Sequence, residues 1–165
     1  MTAPISSLIR AALFVADLDR STAFYGALGL TEVYFEGELD GDSAAMVLSL
    51  PAGARTRCRI VKRPQTPNYG MVGLFAVSDP TPPTVPLGGP GPRVGDVALV
   101  FYVSDFDHAL EAVRTAGASV IGPVTLFTMP HRTQREVCLR DPDGVLVNLI
   151  DRPPEEQFRT EPVRL

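Results

Sequence analysis

Cysteine is scarce in this chain: 165 residues contain only Cys58 and Cys138, far apart in sequence. Two lone thiols suit a reducing cytosol and exclude a multi-disulfide framework, leaving room for one bridge at most. Charge of one sign is also lacking. Fifteen Lys and Arg against 19 Asp and Glu give a formal net charge of -4, too mild to imply a partner by electrostatics. There is no basic run interleaved with aromatics of the kind that binds nucleic acid. Long apolar runs are missing too. The longest near the N-terminus, residues 11–16, stops at Asp17 and is too short for a signal h-region or a membrane span. The expectation is a cytoplasmic protein with neither nucleic acid nor membrane as a partner.

What remains is an ordinary soluble composition, 45% hydrophobic and 21% charged, long enough for one domain or two small fused modules. The most informative feature is internal. LIRAALFVADLDRSTAFYGALGL (8–30) and DVALVFYVSDFDHALEAVRTAGA (96–118) align so that Val15 falls on Val103, Asp17 on Asp105, Asp19 on Asp107 and Gly29 on Gly117. A repeat means one structural unit used twice.

Each repeat opens with alternating residues. Ile9, Ala11, Leu13 and Val15 share one face of a strand, with Arg10, Ala12 and Phe14 on the other; the second copy places Val97, Leu99, Phe101 and Val103 against Ala98, Val100 and Tyr102. Both faces are largely apolar, so both are expected to be buried. Asp17 and Asp105 then stand where an aspartate caps a helix. Leu18, Thr22, Tyr25 and Leu28 are the expected inner stripe of the first helix, and Phe106, Leu110, Val113 and Ala116 that of the second. Gly29 and Gly117 sit at left-handed C-terminal caps.

Three strands are expected after each helix: 31–36, 57–63 and 71–77, then 119–124, 135–140 and 145–150, with an extra short helix over 43–50. Asp141-Pro142-Asp143-Gly144 is the chemistry of a tight turn. The predicted organisation is a βαβββ module over 1–78, a Pro/Gly-rich linker over 79–95, a second module over 96–152, and a surface or partner-clasping tail over 153–165. The fold class is α+β: two tandem βαβββ modules forming paired curved sheets around a concave cavity, helices outside.

The stretches LFVADLDRSTAFYGALGL, FYVSDFDHALEAVRTAGA and LRDPDGVLVNLI resemble the vicinal oxygen chelate superfamily, which includes glyoxalase I, extradiol dioxygenases and bleomycin-resistance proteins. The resemblance runs from about Leu8 to Asp151. It implies a divalent metal held by His, Gln or Glu on the first and last strand of each module. The first-strand ligand usually stands seven residues before the capping aspartate, which reaches Arg10 and Ala98. The last-strand ligand usually stands seven after the first aspartate of the DPDG turn, which reaches Asn148; its counterpart in the first module is Gly73. Arginine offers no lone pair, alanine and glycine have no ligating side chain, and an asparagine amide is a weak anchor alone. Neither histidine, His108 nor His131, falls at these positions. No metal and no cofactor is expected.

Alternation also places Met71, Phe75, Leu146 and Ile150 on the inward face, with Glu136 and Cys138 if their strand alternates the same way. This mixture of apolar walls and a few polar groups suits a small-molecule pocket, or simply core. Arg10 reads either as half of a buried ion pair with Glu136 or another carboxylate, or as an anchor for an anionic or carbonyl ligand. His131 reads as an exposed loop imidazole or as a general acid–base. His108 reads as surface. Cys138 reads as a small buried apolar group rather than a nucleophile. Arg55, Arg57, Arg59, Lys62 and Arg63 read as a solvated face, with a role in binding an acidic ligand as the alternative.

The leading expectation is a metal-free protein binding a small organic molecule in its cavity, in the manner of bleomycin-resistance proteins, as a homodimer. Arg10, Asn148 and Tyr102 would orient the ligand while Phe14, Val100 and Leu146 enclose it. One rival is a metal-independent isomerase, lyase or hydrolase using Glu136, His131 and Tyr102 for proton transfer. Another is a glyoxalase- or dioxygenase-like metalloenzyme with displaced ligands. A last one is a purely structural or partner-binding module.

Overall fold

The computed structural model describes residues 5–39, 41–84 and 91–155. The chain divides into two compact units, Met1–Pro86 and Leu87–Leu165. The expected tail lies largely outside the described residues.

The first unit contains β1 (Arg10–Phe14), α1 (Leu18–Ala27), β2 (Glu32–Leu39), α2 (Asp42–Val47), β3 (Arg55–Lys62) and β4 (Met71–Ser78). Its sheet has the order β1-β4-β3-β2, with β1 parallel to β4 and the other pairs antiparallel. A parallel pair needs a long crossover, and α1, β2, α2 and β3 form it. The Asp17 carboxylate accepts from the amides of Asp19 and Arg20, both at 3.0 Å, as the sequence predicts. Gly29 ends the helix at φ 92°, where a β-carbon would be strained.

The second unit contains β5 (Ala98–Val103), α3 (Phe106–Thr115), β6 (Ser119–Val120), β7 (Thr125–Met129), β8 (Arg132–Arg140) and β9 (Leu146–Asp151). Its sheet has the order β5-β9-β8-β6, with β7 also paired to β8. Asp105 caps α3 through the amide of His108 at 3.1 Å. The DPDG turn forms, with one Asp141 oxygen accepting from the amides of Asp143 and Val145 at 2.9 and 2.8 Å. The fold is α+β, with a tandem βαβββ plan that the second unit extends by one strand.

Each sheet carries its helix on one face. In the first unit Arg59 of β3 reaches Asp19 and Thr22 of α1, both at 2.9 Å. In the second, Arg135 of β8 reaches Asp107 of α3 at 3.0 Å and lies over the Phe106 ring. Beneath the helices Phe24, Tyr25, Leu74, Phe106, Leu139 and Leu149 are fully buried, each contributing about 1.5–3 kcal/mol of hydrophobic stabilisation.

Four expectations are corrected. The helix-free faces of β1 and β5 are not buried: Arg10, Ala12, Phe14, Ala98, Val100 and Tyr102 are all exposed. The buried stripe of α1 is Leu18, Ser21, Phe24 and Tyr25, because Thr22 lies at the flank, where its hydroxyl accepts from Arg59. On α3, Ala109 rather than Ala116 completes the stripe. The strand expected over 119–124 is two strands, β6 and β7, separated by Gly122 and Pro123; proline has no amide to continue the ladder.

Candidate functional site

The ladder registers show which positions correspond in the two modules. Ala12 pairs with Gly73 and Val100 pairs with Asn148, so Gly73 occupies in the first module the place of Asn148 in the second. One strand over, Ile60 pairs with Gly73 and Cys138 with Asn148, while Cys58 pairs with Phe75 and Glu136 with Ile150. Cys58 and Glu136 are therefore counterparts, and all these residues face away from the helices.

The two equivalent faces differ in chemistry. In the first unit Cys58, Ile60, Met71 and Phe75 form an apolar cluster, with Leu39 and Leu48 packed against it. Leu48 caps α2, so the segment between β2 and β3 folds onto this face. Phe14 extends the cluster, its ring 5.9 Å from that of Phe75. Arg10 is exposed at the margin and makes no ion pair among the described residues. Since it is not buried, it needs no carboxylate partner.

In the second unit the same face is polar at its centre. Glu136 accepts on one carboxylate oxygen from the Gln134 side-chain amide and on the other from that of Asn148 at 2.9 Å. Both carboxamides thus turn their nitrogens toward one anion. Their oxygens, Gln134 Oε1 and Asn148 Oδ1, are buried with no hydrogen-bond partner among the described residues. So are His131 Nδ1 and Arg132 Nε. Buried polar atoms without partners are few in native proteins and each calls for a physical reason.

The predicted residues separate accordingly. Val100, Tyr102, Leu146, Asn148 and Glu136 share the helix-free face of the second unit, by register. Arg10 and Phe14 lie in the first unit. His131 stands in the two-residue turn joining β7 to β8 and is half-buried rather than an exposed loop imidazole; His108 is exposed, as expected. Cys138 is exposed, not buried; partial burial of its sulfur and then the Glu136 charge push its thiol above the ordinary value of 9.0. Of the basic group, Lys62 and Arg59 are committed to internal contacts, while Arg55, Arg57 and Arg63 are exposed. Sequence reasoning missed Gln134 and Arg132. Continuing the alternation of Cys138 and Glu136 by two more steps reaches both, and the Arg132 guanidinium lies 5.6 Å from the centre of the Tyr102 ring.

A family model described as the Glyoxalase/Bleomycin resistance protein/Dioxygenase superfamily matches residues 7–149. The chain belongs to that superfamily. Solved structures agree on the fold. A glyoxalase family protein from Bacillus cereus is 20% identical, with a TM-score of 0.71 over 91% of this chain and 98% of its own. A variant of glyoxalase I from Zea mays is 17% identical, with a TM-score of 0.52 over 86% of this chain but only 44% of its own. No curated protein matches the chain.

Superfamily membership raises the question of a metal. The four positions named by the resemblance hold Arg10, Gly73, Ala98 and Asn148, and the one amide among them has its nitrogen on Glu136. A guanidinium, a methyl group, a bare backbone and a carboxamide do not fit a divalent cation. Among the described residues no group of three or more His, Cys, Asp or Glu side chains is placed to hold one. Nor is any helix among them long and apolar enough to cross a membrane.

Proposed function

We propose that the protein binds a small organic molecule, without a metal, on the helix-free face of its second unit. The observation that carries this reading is the Gln134–Glu136–Asn148 group. A carboxylate is held by two side-chain amides, and both amide oxygens are left buried and unmatched. An unmet buried acceptor costs about 1–3 kcal/mol, which a ligand that donates to it recovers. Apolar contact is at hand beside it: Val100 is 58% exposed and Tyr102 46%, a combination typical of ligand sites.

Binding is favoured over turnover. A metal-independent isomerase, lyase or hydrolase needs a proton-transfer group presented to substrate. Both oxygens of Glu136 instead face carboxamide donors, an arrangement that orients a charge.

The test has two arms. Protein purified without added metal is analysed for its elements, and a fragment library is screened by ligand-observed NMR against the full chain and Asn148→Leu. The expected result is no stoichiometric metal, and fragments that bind the parent but not the variant. Stoichiometric zinc, nickel, manganese or iron sinks the metal-free reading. Hits that bind both proteins equally move the site elsewhere.

A further inference from the structure

The orphaned atoms on β8 are not all of one kind. Resting on the reading above, we infer that the second unit selects a dipolar small molecule of the amino acid or short-peptide class, with an ammonium or N–H group at one end and a carboxylate or carbonyl at the other. The inference comes from the order of side chains along one strand face.

Arg132, Gln134 and Glu136 alternate along β8, so their side chains leave the same face. They read cation, amide, anion. Arg132 makes no ion pair among the described residues, and its Nε–H is buried with no acceptor. Its guanidinium instead rests near the Tyr102 ring. At the other end Glu136, Gln134 Oε1 and Asn148 Oδ1 supply acceptors, two of them unmatched. Gln134 is only 5% exposed, so its oxygen cannot be satisfied by bulk water.

The two ends are complementary to opposite groups. A carboxylate or carbonyl meets the planar fork of Arg132, which can bind it in bidentate fashion. An ammonium meets the carboxylate of Glu136 and donates its remaining protons to the two amide oxygens, since an ammonium has three donors and no acceptor. A ligand with only one of these groups leaves the other end unmet. Because the amide oxygens are buried, entry requires movement of a neighbour. Tyr102 is half-exposed with Arg132 lying near its ring, and this pair is the movable element.

The experiment titrates the full chain with glycylglycine and 4-aminobutanoate as dipolar probes, and with butylamine and butanoate as single-ended controls. At least one dipolar probe is expected to bind about tenfold more tightly than either control, the size of one charge-assisted hydrogen bond. Glu136→Gln and Arg132→Met are each expected to weaken that probe about tenfold; Arg132→Met does so with little change in melting temperature, whereas Glu136→Gln, which removes the charge from two hydrogen bonds, also melts lower. Should either variant fail to fold, the Arg132 Nε–H resonance of the parent protein is followed instead; it shifts with the dipolar probe and not with butylamine. Equal binding of dipolar and single-ended probes, or unchanged affinity in both variants, overturns the inference. If neutral fragments bind this face while neither dipolar probe does, the ligand class is wrong and the binding reading stands. If nothing binds at all, both fall.

Discussion

Asn148 turns its side-chain nitrogen to Glu136, 2.9 Å away on the neighbouring strand. It thereby holds the Glu136 anion in place from a position at which the resemblance implied a metal ligand. The relationship explains why an amide, rather than a carboxylate, suits that place. A second negative charge beside Glu136 would repel it, whereas an amide donates to it.

Replacing Asn148 with leucine removes that donor. A hydrogen bond to a charged group is worth about 1.5–3 kcal/mol. Asn148→Leu is expected to lower stability by less than that, because it also removes the unmatched buried Oδ1; the change is read from urea denaturation at pH 7. An unchanged midpoint would mean that Glu136 draws its support from elsewhere.

Lys62 closes β3 and is 8% exposed at its side chain. Its ammonium donates to the Thr66 carbonyl at 2.6 Å and to Asn68 at 2.9 Å, and faces Glu32 at 3.4 Å. Arg140 occupies the matching position on β8 and donates to the Gly144 carbonyl at 2.7 Å. A buried cation thus pins the turn between the last two strands in both modules. Lys62→Met keeps the aliphatic stem but not the donors. It is expected to cost about 1–3 kcal/mol and to open residues 63–70 to limited proteolysis. A digestion pattern identical to the parent's would show that the turn holds itself.

Several carboxylates lie below their ordinary range. Amide hydrogen bonds from Arg20 and Asp19 lower Asp17 from 3.8, and the Arg59 guanidinium lowers Glu36 from 4.5. A group with a depressed folded-state pKa stabilises the protein above its unfolded-state value, and that contribution is lost as pH falls through the lowered one. Melting temperature is expected to be level from about pH 5 to 8 and to drop below about pH 4. Glu36→Gln should melt lower at pH 7 and show a shallower acid decline. A decline as steep as the parent's would remove Glu36 from the account.

The two thiols face different environments. Cys58 is 1% exposed within the apolar cluster of the first unit, and burial raises its thiol above 9.0. Cys138 is exposed, but partial burial of its sulfur and then the Glu136 charge oppose its ionisation. Iodoacetamide at pH 7 is expected to label Cys138 slowly and Cys58 only on unfolding, because the thiolate is the nucleophile. Glu136→Gln should speed the labelling of Cys138. Equal rates at both thiols would contradict the packing of Cys58 against Ile60 and Met71.

Much of the fold was legible from local chemistry. Asp17, Asp105, Gly29, Gly117 and the DPDG turn act within a few residues of themselves, and each behaves as its spacing predicts. The misreadings arose where distant residues decide. Ser21 replaces Thr22 on the buried stripe of α1 because Arg59, from β3, binds the Thr22 hydroxyl at the flank. Alternation in β1 and β5 showed two apolar faces but not which one a helix would cover.

By itself the sequence determined the repeat, the helix caps, the superfamily resemblance and the unsuitability of Arg10, Gly73, Ala98 and Asn148 as metal ligands. These depend on residue type and short spacings, which a linear string carries in full. Only the tertiary structure decided that Glu136, Gln134 and Asn148 form one hydrogen-bonded group while the equivalent face of the first unit is apolar. That outcome depends on the register between β8 and β9 and on the segment folded over β3, contacts between residues far apart in the chain.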